Sequence, residues 1–84
     1  MAIQRESNNM ILKFGENLAY LRKLNRLSQQ DVAQLVNKSD ATISFWENGK
    51  REPTVQDVYI LSVYFRVDIE TLCFGTITDI KPVR

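Results

Sequence analysis

Six basic residues, Arg22, Lys23, Arg26, Lys38, Lys50 and Arg51, stand between Arg22 and Arg51 against only Asp31, Asp40 and Glu47. The local excess is +3 in a chain whose formal net charge is +1, and the remaining segments are net −2. Among these charges lie Gln29, Ser39, Ser44 and Asn48, whose amides and hydroxyls can hydrogen-bond. Cations interleaved with such donors suit a polyanion, because phosphates are held by Lys and Arg together with amide, hydroxyl and backbone N–H groups. They do not suit catalysis. The chain has no His, no candidate nucleophile has a base beside it, and the carboxylates are dispersed, so no enzyme is expected. Cys73 is the single cysteine, which rules out an internal disulfide and leaves no zinc or haem site. A small core thiol between Leu72 and Phe74 and a reducing, cytoplasmic setting are expected. No cofactor, metal or small-molecule ligand is implied.

These residues sit on two short capped helices joined by a tight turn, the layout of a helix-turn-helix. Ser28 offers its hydroxyl to a free backbone N–H three residues on, and Asp31 can reach back reciprocally. Val32, Leu35 and Val36 form the apolar side, and Ala33 is small enough for a second helix to cross closely. Asn37 falls where the sharp turn needs a positive φ, which Asn tolerates. Ser39 caps the next helix, Asp40 suits its positive end, Ile43 and Trp46 are its buried side, and Asn48-Gly49 stops it. Asp40, Ala41, Ser44 and Phe45 are left on the exposed side.

The flanking segments are scaffold. Ile11, Phe14, Leu18, Leu21 and Leu24 recur at helical spacing and predict a first helix from about Ile11 to Asn25. Thr54 with Asp57 makes a second cap ahead of a helix marked by Val55, Val58, Leu61 and Phe65. Asp68 caps a short fifth helix with Ile69, Leu72 and Cys73 inward, ended by Gly75. The whole is expected to be all-α, with residues 1–10 a flexible N-terminal arm, 11–75 the domain and 76–84 a tail. With 84 residues, 44% of them hydrophobic, one modest core is possible. Nothing approaches the ~18 apolar residues of a membrane span, and the polar N-terminus has no apolar export signal.

Leu27-Ser28-Gln29, Ala33, Ile43-Ser44-Phe45-Trp46-Glu47-Asn48-Gly49-Lys50 and Pro53 together resemble the phage-repressor, Cro-like (xenobiotic-response-element type) helix-turn-helix regulators, over roughly Phe14 to Phe74. The resemblance implies a five-helix repressor domain that lays its third helix in the major groove of double-stranded DNA. By register it assigns base edges to Asp40, Ala41, Ser44 and Phe45. Asp40 can accept from a cytosine amine, Ser44 can bond several bases, and Ala41 and Phe45 can touch a thymine methyl. It assigns phosphates to Gln29, Lys38, Ser39, Asn48, Lys50 and Arg51. It also places Arg22 opposite Glu47 as a structural ion pair.

Two alternatives stay open at this stage. Asp40 can simply support the helix start, and Phe45 can pack at a protein contact. A single module buries only about 600–1,000 Å² on DNA, so a homodimeric repressor reading two half-sites is expected, with Phe74, Ile77 and Ile80 as candidate pairing residues. The competing expectation is a protein-interaction module on the same fold, antitoxin-like or binding a partner regulator through the Phe45 helix.

Overall fold

The computed structural model describes residues 12–77 and 81–83. Among these residues it contains five helices and no strand: α1 (Leu12–Leu24), α2 (Gln29–Val36), α3 (Asp40–Glu47), α4 (Val55–Phe65) and α5 (Ile69–Phe74). The all-α, five-helix expectation holds. The expected arm over 1–10, together with Ile11 and Ile80, lies outside the described residues.

Each helix start follows from its capping residue. Ser28 and Thr54 form reciprocal capping boxes: their side chains accept from the N–H of Asp31 and Asp57, at 3.0 and 3.1 Å, and their own N–H groups donate to those carboxylates at 2.8 and 3.1 Å. Ser39 and Asp68 cap α3 and α5 by accepting from Thr42 and Thr71. Such caps contribute about 1 kcal/mol each. The hydrogen bond from the Ser28 backbone, followed by that from its hydroxyl, holds the Asp31 carboxyl below its ordinary range. A depressed carboxylate stabilises the fold above its ordinary pKa, and that help fades as the pH falls through the lowered value.

The helix ends use the left-handed region. Arg26, Asn37 and Arg66 all have φ of 59°, and Gly49 has φ of 74°. At each, the following N–H reaches back to the last turn, as in Lys38 N–H to Ala33 O at 2.9 Å and Leu27 N–H to Arg22 O at 2.9 Å. Asn37 is where the sequence places the turn. α1 ends at Leu24, one residue before the predicted Asn25, and Arg26 makes the turn that follows.

The core gathers around Phe14, Leu18 and Leu21 of α1, with Val32 and Val36 of α2, Ile43 and Trp46 of α3, and Leu61 and Phe65 of α4. Burying each such side chain contributes about 1.5–3 kcal/mol. Ala33 is buried where α2 meets α3, the small residue that the close crossing needs. Phe14 meets Trp46 edge-on, with ring centroids 6.0 Å apart. Gly15 puts backbone where a Cβ would lie 2.4 Å from the Trp46 carbonyl oxygen, so α1 passes directly over the end of α3.

Three residues differ from expectation. Val55 does not join the α4 core stripe; it is the first helical residue and the most exposed of the large apolar side chains. Ile69 faces outward rather than inward, because α5 docks through Leu72 and Cys73 alone. Ile77, expected as a pairing residue in the tail, is buried in the core. Val83 packs on that core too, and its N–H donates to Asn25 Oδ1 at 2.7 Å. Cys73 is the buried thiol anticipated, and burial pushes its pKa up.

Asn17 explains how so short a helix as α5 is held. Buried on α1, its Nδ2 donates to the carbonyls of Leu72 at 2.9 Å, Gly75 at 3.0 Å and Thr71 at 3.3 Å. One side chain thus satisfies the carbonyls a helix terminus leaves unpaired. Asn17→Ala removes the donor from the buried Leu72 carbonyl and from that of Gly75, while Thr71 O keeps the Gly75 N–H, and a loss of about 2–3 kcal/mol is expected, read as a lower midpoint in urea unfolding. Asn17→Asp, which keeps the shape but removes the donors, is expected to be at least as damaging. An unchanged midpoint for both variants would refute the capping role.

Candidate nucleic-acid interface

The α2–α3 pair carries the candidate surface, and one carboxylate organises it. Glu47, the last residue of α3, accepts from Arg22 of α1 through two parallel bonds, Nε to Oε2 at 2.6 Å and Nη2 to Oε1 at 3.1 Å. The side chains are 13% and 8% exposed, so both charges are largely out of water. Arg22 Nη1 also donates to Leu27 O at 3.0 Å, tying the α1–α2 turn into the same knot. This is the ion pair that the resemblance implied.

Gln29 is drawn into that knot. Its Nε2 donates to Glu47 Oε1 at 3.1 Å, so the amide at the start of α2 is held against the end of α3. Nε2 carries two hydrogens, and the second is left to point elsewhere. The sequence identifies Gln29 as a donor; its dependence on Glu47, eighteen positions away, has no local signal.

Along α3, Asp40 and Ala41 are exposed, Ser44 is half-buried, and Phe45 is partly exposed. Ser39, Asp40, Ala41 and Lys38 therefore cluster at the α3 start, as expected. The far end is arranged differently. Asn48 turns its amide back onto α3, donating to Ser44 O at 3.0 Å and Ser44 Oγ at 3.4 Å. Its donors thus serve as a helix cap, and they also engage the Ser44 hydroxyl.

Phe45 and Arg51 form a unit that the sequence does not reveal. The Arg51 guanidinium carbon lies 5.1 Å from the Phe45 ring centroid, within the range of a cation–π contact. The backbone forces this meeting: Lys50 N–H and Arg51 N–H both donate to Phe45 O, at 2.8 and 3.4 Å, once Gly49 has turned the chain. Among the described residues Lys38, Lys50 and Arg51 make no ion pair, so their charges face outward uncompensated. No group of ligating side chains that could hold a metal ion occurs among the described residues, nor is any helix there long and apolar enough to cross a membrane.

A family model described as helix-turn-helix matches residues 18–72, from the middle of α1 into α5. The chain belongs to the Cro/C1-type helix-turn-helix family of transcriptional regulators. It is 34% identical over 64 residues to the HTH-type transcriptional activator BcrR of Enterococcus faecalis, covering 76% of this chain and 31% of that protein. It is 31% identical over 64 residues to the HTH-type transcriptional regulator DicA of Escherichia coli K12, covering 76% of this chain and 47% of the relative. The chain thus spans less than half the length of both. A crystal structure of a transcriptional regulator from Listeria innocua superposes with a TM-score of 0.70 at 29% identity, covering 79% of this chain and 61% of the other.

Proposed function

We propose that this chain binds double-stranded DNA at a selected sequence, as a homodimer, with the start of α3 in the major groove. The observation that carries this is the bracketing of α3: a Gln29 amide fixed by the Arg22–Glu47 pair on one side, and Arg51 stacked on Phe45 on the other. Donors held on a rigid frame are what phosphate contacts require, since those contacts set register before any base is read. Asp40, Ala41 and Ser44 then face the base edges. Phe45 acts mainly as the platform for Arg51, so the base-reading set is smaller than the sequence implies. Gln29, Lys38, Ser39, Lys50 and Arg51 grip phosphate, whereas Asn48 contributes through its cap on α3. Repression by occupying a promoter needs nothing beyond such binding, and the DNA it requires lies in the cytoplasm.

Selection from a random double-stranded library, at low and moderate salt, tests the proposal. A two-fold symmetric site is expected, with affinity that falls as salt rises through counterion release. Arg51→Ala and Lys50→Ala should each weaken binding to all sequences and reduce the salt slope by about 1. Phe45→Leu should behave like Arg51→Ala if the ring serves the guanidinium, and should change sequence preference if the ring reads a base. Binding to a protein that is indifferent to salt, with no DNA selected, would replace this proposal with the protein-interaction module. A promoter fusion then separates repression from activation.

A further inference from the structure

The tail returns to the body at the end of α1 and leaves a space there. Val83 N–H donates to Asn25 Oδ1 at 2.7 Å, while Asn25 Nδ2 donates to Leu21 O at 2.8 Å, so one side chain joins the tail to the last turn of α1. Beneath this junction an open cleft of about 510 Å³ lies between Pro82 and Val83 of the tail, the α1–α2 turn and Tyr64 of α4. That volume is within the range of small-molecule sites, commonly ~300–1,000 Å³. Three separate segments build it, so the sequence gives no sign of it.

The chemistry of the lining is one-sided. Leu24, Leu27, Tyr64, Pro82 and Val83 give it a mainly apolar wall, with Leu27 and Val83 packed on the rim of the core. The side-chain oxygen of Asn25 is already taken by the Val83 N–H. Arg26 is the one charged residue of the lining; it is exposed and makes no ion pair among the described residues, and no carboxylate lines the cleft beside it. An apolar wall with a single uncompensated guanidinium at its edge complements a molecule that is apolar over most of its length and anionic at one end. Arg is suited to the anionic end because its planar fork matches a carboxylate.

We infer that this cleft binds a small aliphatic or aryl monocarboxylate, its apolar body against Leu24, Leu27, Tyr64 and Val83 and its carboxylate on Arg26, and that the occupant acts on the candidate interface through Leu27. The side chain of Leu27 lines the cleft, and its carbonyl accepts from Arg22 Nη1 at 3.0 Å. The same guanidinium holds Glu47, whose Oε1 in turn orients the Gln29 amide. A molecule packed on Leu27 restrains the α1–α2 turn in the arrangement that Arg22 requires, and so favours the orientation of Gln29 that phosphate contact needs. An effector shifts such an equilibrium by its preference for one arrangement over the others. The site stands apart from the DNA reading; its coupling to Gln29 rests on that reading.

Titration of octanoate and of phenylbutyrate into the isotope-labelled full chain, followed through its amide resonances by NMR, tests the site. Both should give saturable shifts centred on Asn25, Arg26, Leu27, Tyr64 and Val83, with dissociation constants of about 1 mM or below for ligands of this size. Octylammonium, with the same chain and the opposite charge, and octanoate with Arg26→Gln should each bind about three- to fivefold more weakly. Val83→Trp, which fills the cleft from the tail, should abolish saturable binding; circular dichroism melts confirm that each variant is folded. At matched ionic strength, saturating octanoate should tighten binding to the selected DNA about fivefold or more, and DNA should tighten octanoate binding by the same factor. Shifts that do not saturate by about 10 mM, that centre on the exposed Tyr59 and Val63 of α4 instead, or that persist unchanged in Arg26→Gln and Val83→Trp would overturn the site. Saturable binding with unchanged DNA affinity would overturn the coupling. Saturable binding in a chain that selects no DNA leaves the site standing and removes the operator proposal together with the coupling.

Discussion

Gly15→Ala is expected to destabilise the fold by about 2–3 kcal/mol, although helix propensity alone predicts a gain of about 1 kcal/mol from the same change. The sign is decided by what the new methyl would meet. A Cβ at Gly15 falls 2.4 Å from the Trp46 carbonyl oxygen and 2.9 Å from that of Glu47. Both are backbone atoms at the end of α3, so no side-chain rotation relieves the overlap, and α1 must lift away from α3. That movement loosens the Phe14–Trp46 contact and draws Arg22 and Glu47 apart, since all four residues lie on the two helices being separated. A domain of this size loses roughly 4–8 °C of melting temperature per kcal/mol, so a fall of about 10–20 °C is expected by calorimetry. A rise in melting temperature would show that α1 can move outward freely, and that the close approach carries no constraint.

The local features of this fold were legible because they are written within four residues of where they act. Ser28 with Asp31, Thr54 with Asp57, Ser39 and Asp68 each announce a helix start through a hydroxyl or carboxylate beside the N–H it accepts from. Asn37 announces its turn because few residues tolerate φ of 59°. Arg26 and Arg66 adopt the same conformation without announcing it; their conformation follows from the reach-back bonds of Leu27 and Val67, not from any preference of Arg. Gly15 and Asn17 carry no local signal for a related reason. Each stands in an ordinary helical stretch, and its purpose is supplied by a carbonyl thirty or more positions away. At the candidate interface the residues themselves were nameable from register. Their couplings, Gln29 to Glu47 and Phe45 to Arg51, were not, because one depends on how α2 crosses α3 and the other on the turn at Gly49. Val55 and Ile69 misled because they fit helical spacing but sit at first helical positions, where the neighbouring element does not cover them.

Arg22→Ala should cost about 3 kcal/mol or more, because it leaves Glu47 mostly buried with only the Gln29 amide to answer its charge. Removing one member of a buried pair costs more than the pair itself contributes, and replacing both members by apolar residues of similar volume is often close to neutral. The double variant Arg22→Leu/Glu47→Leu should therefore recover most of the stability that Arg22→Ala loses, as judged by urea unfolding. Its effect on the interface should be different. Glu47 Oε1 accepts from both Arg22 Nη2 and Gln29 Nε2, so the same oxygen that neutralises the guanidinium also holds the amide at the start of α2. Without it Gln29 keeps its place in α2 but not its orientation, and a side-chain amide that must be immobilised on binding costs about 0.5–1.5 kcal/mol. A folded, stable double variant is thus expected to bind DNA about three- to tenfold more weakly than wild type at fixed salt, with an unchanged salt slope because no cation at the surface has been removed. Recovery of stability together with full affinity would reduce the ion pair to a structural clamp. Recovery of stability without affinity makes Glu47 the residue that turns a packing contact between α1 and α3 into a fixed donor on the face of α2.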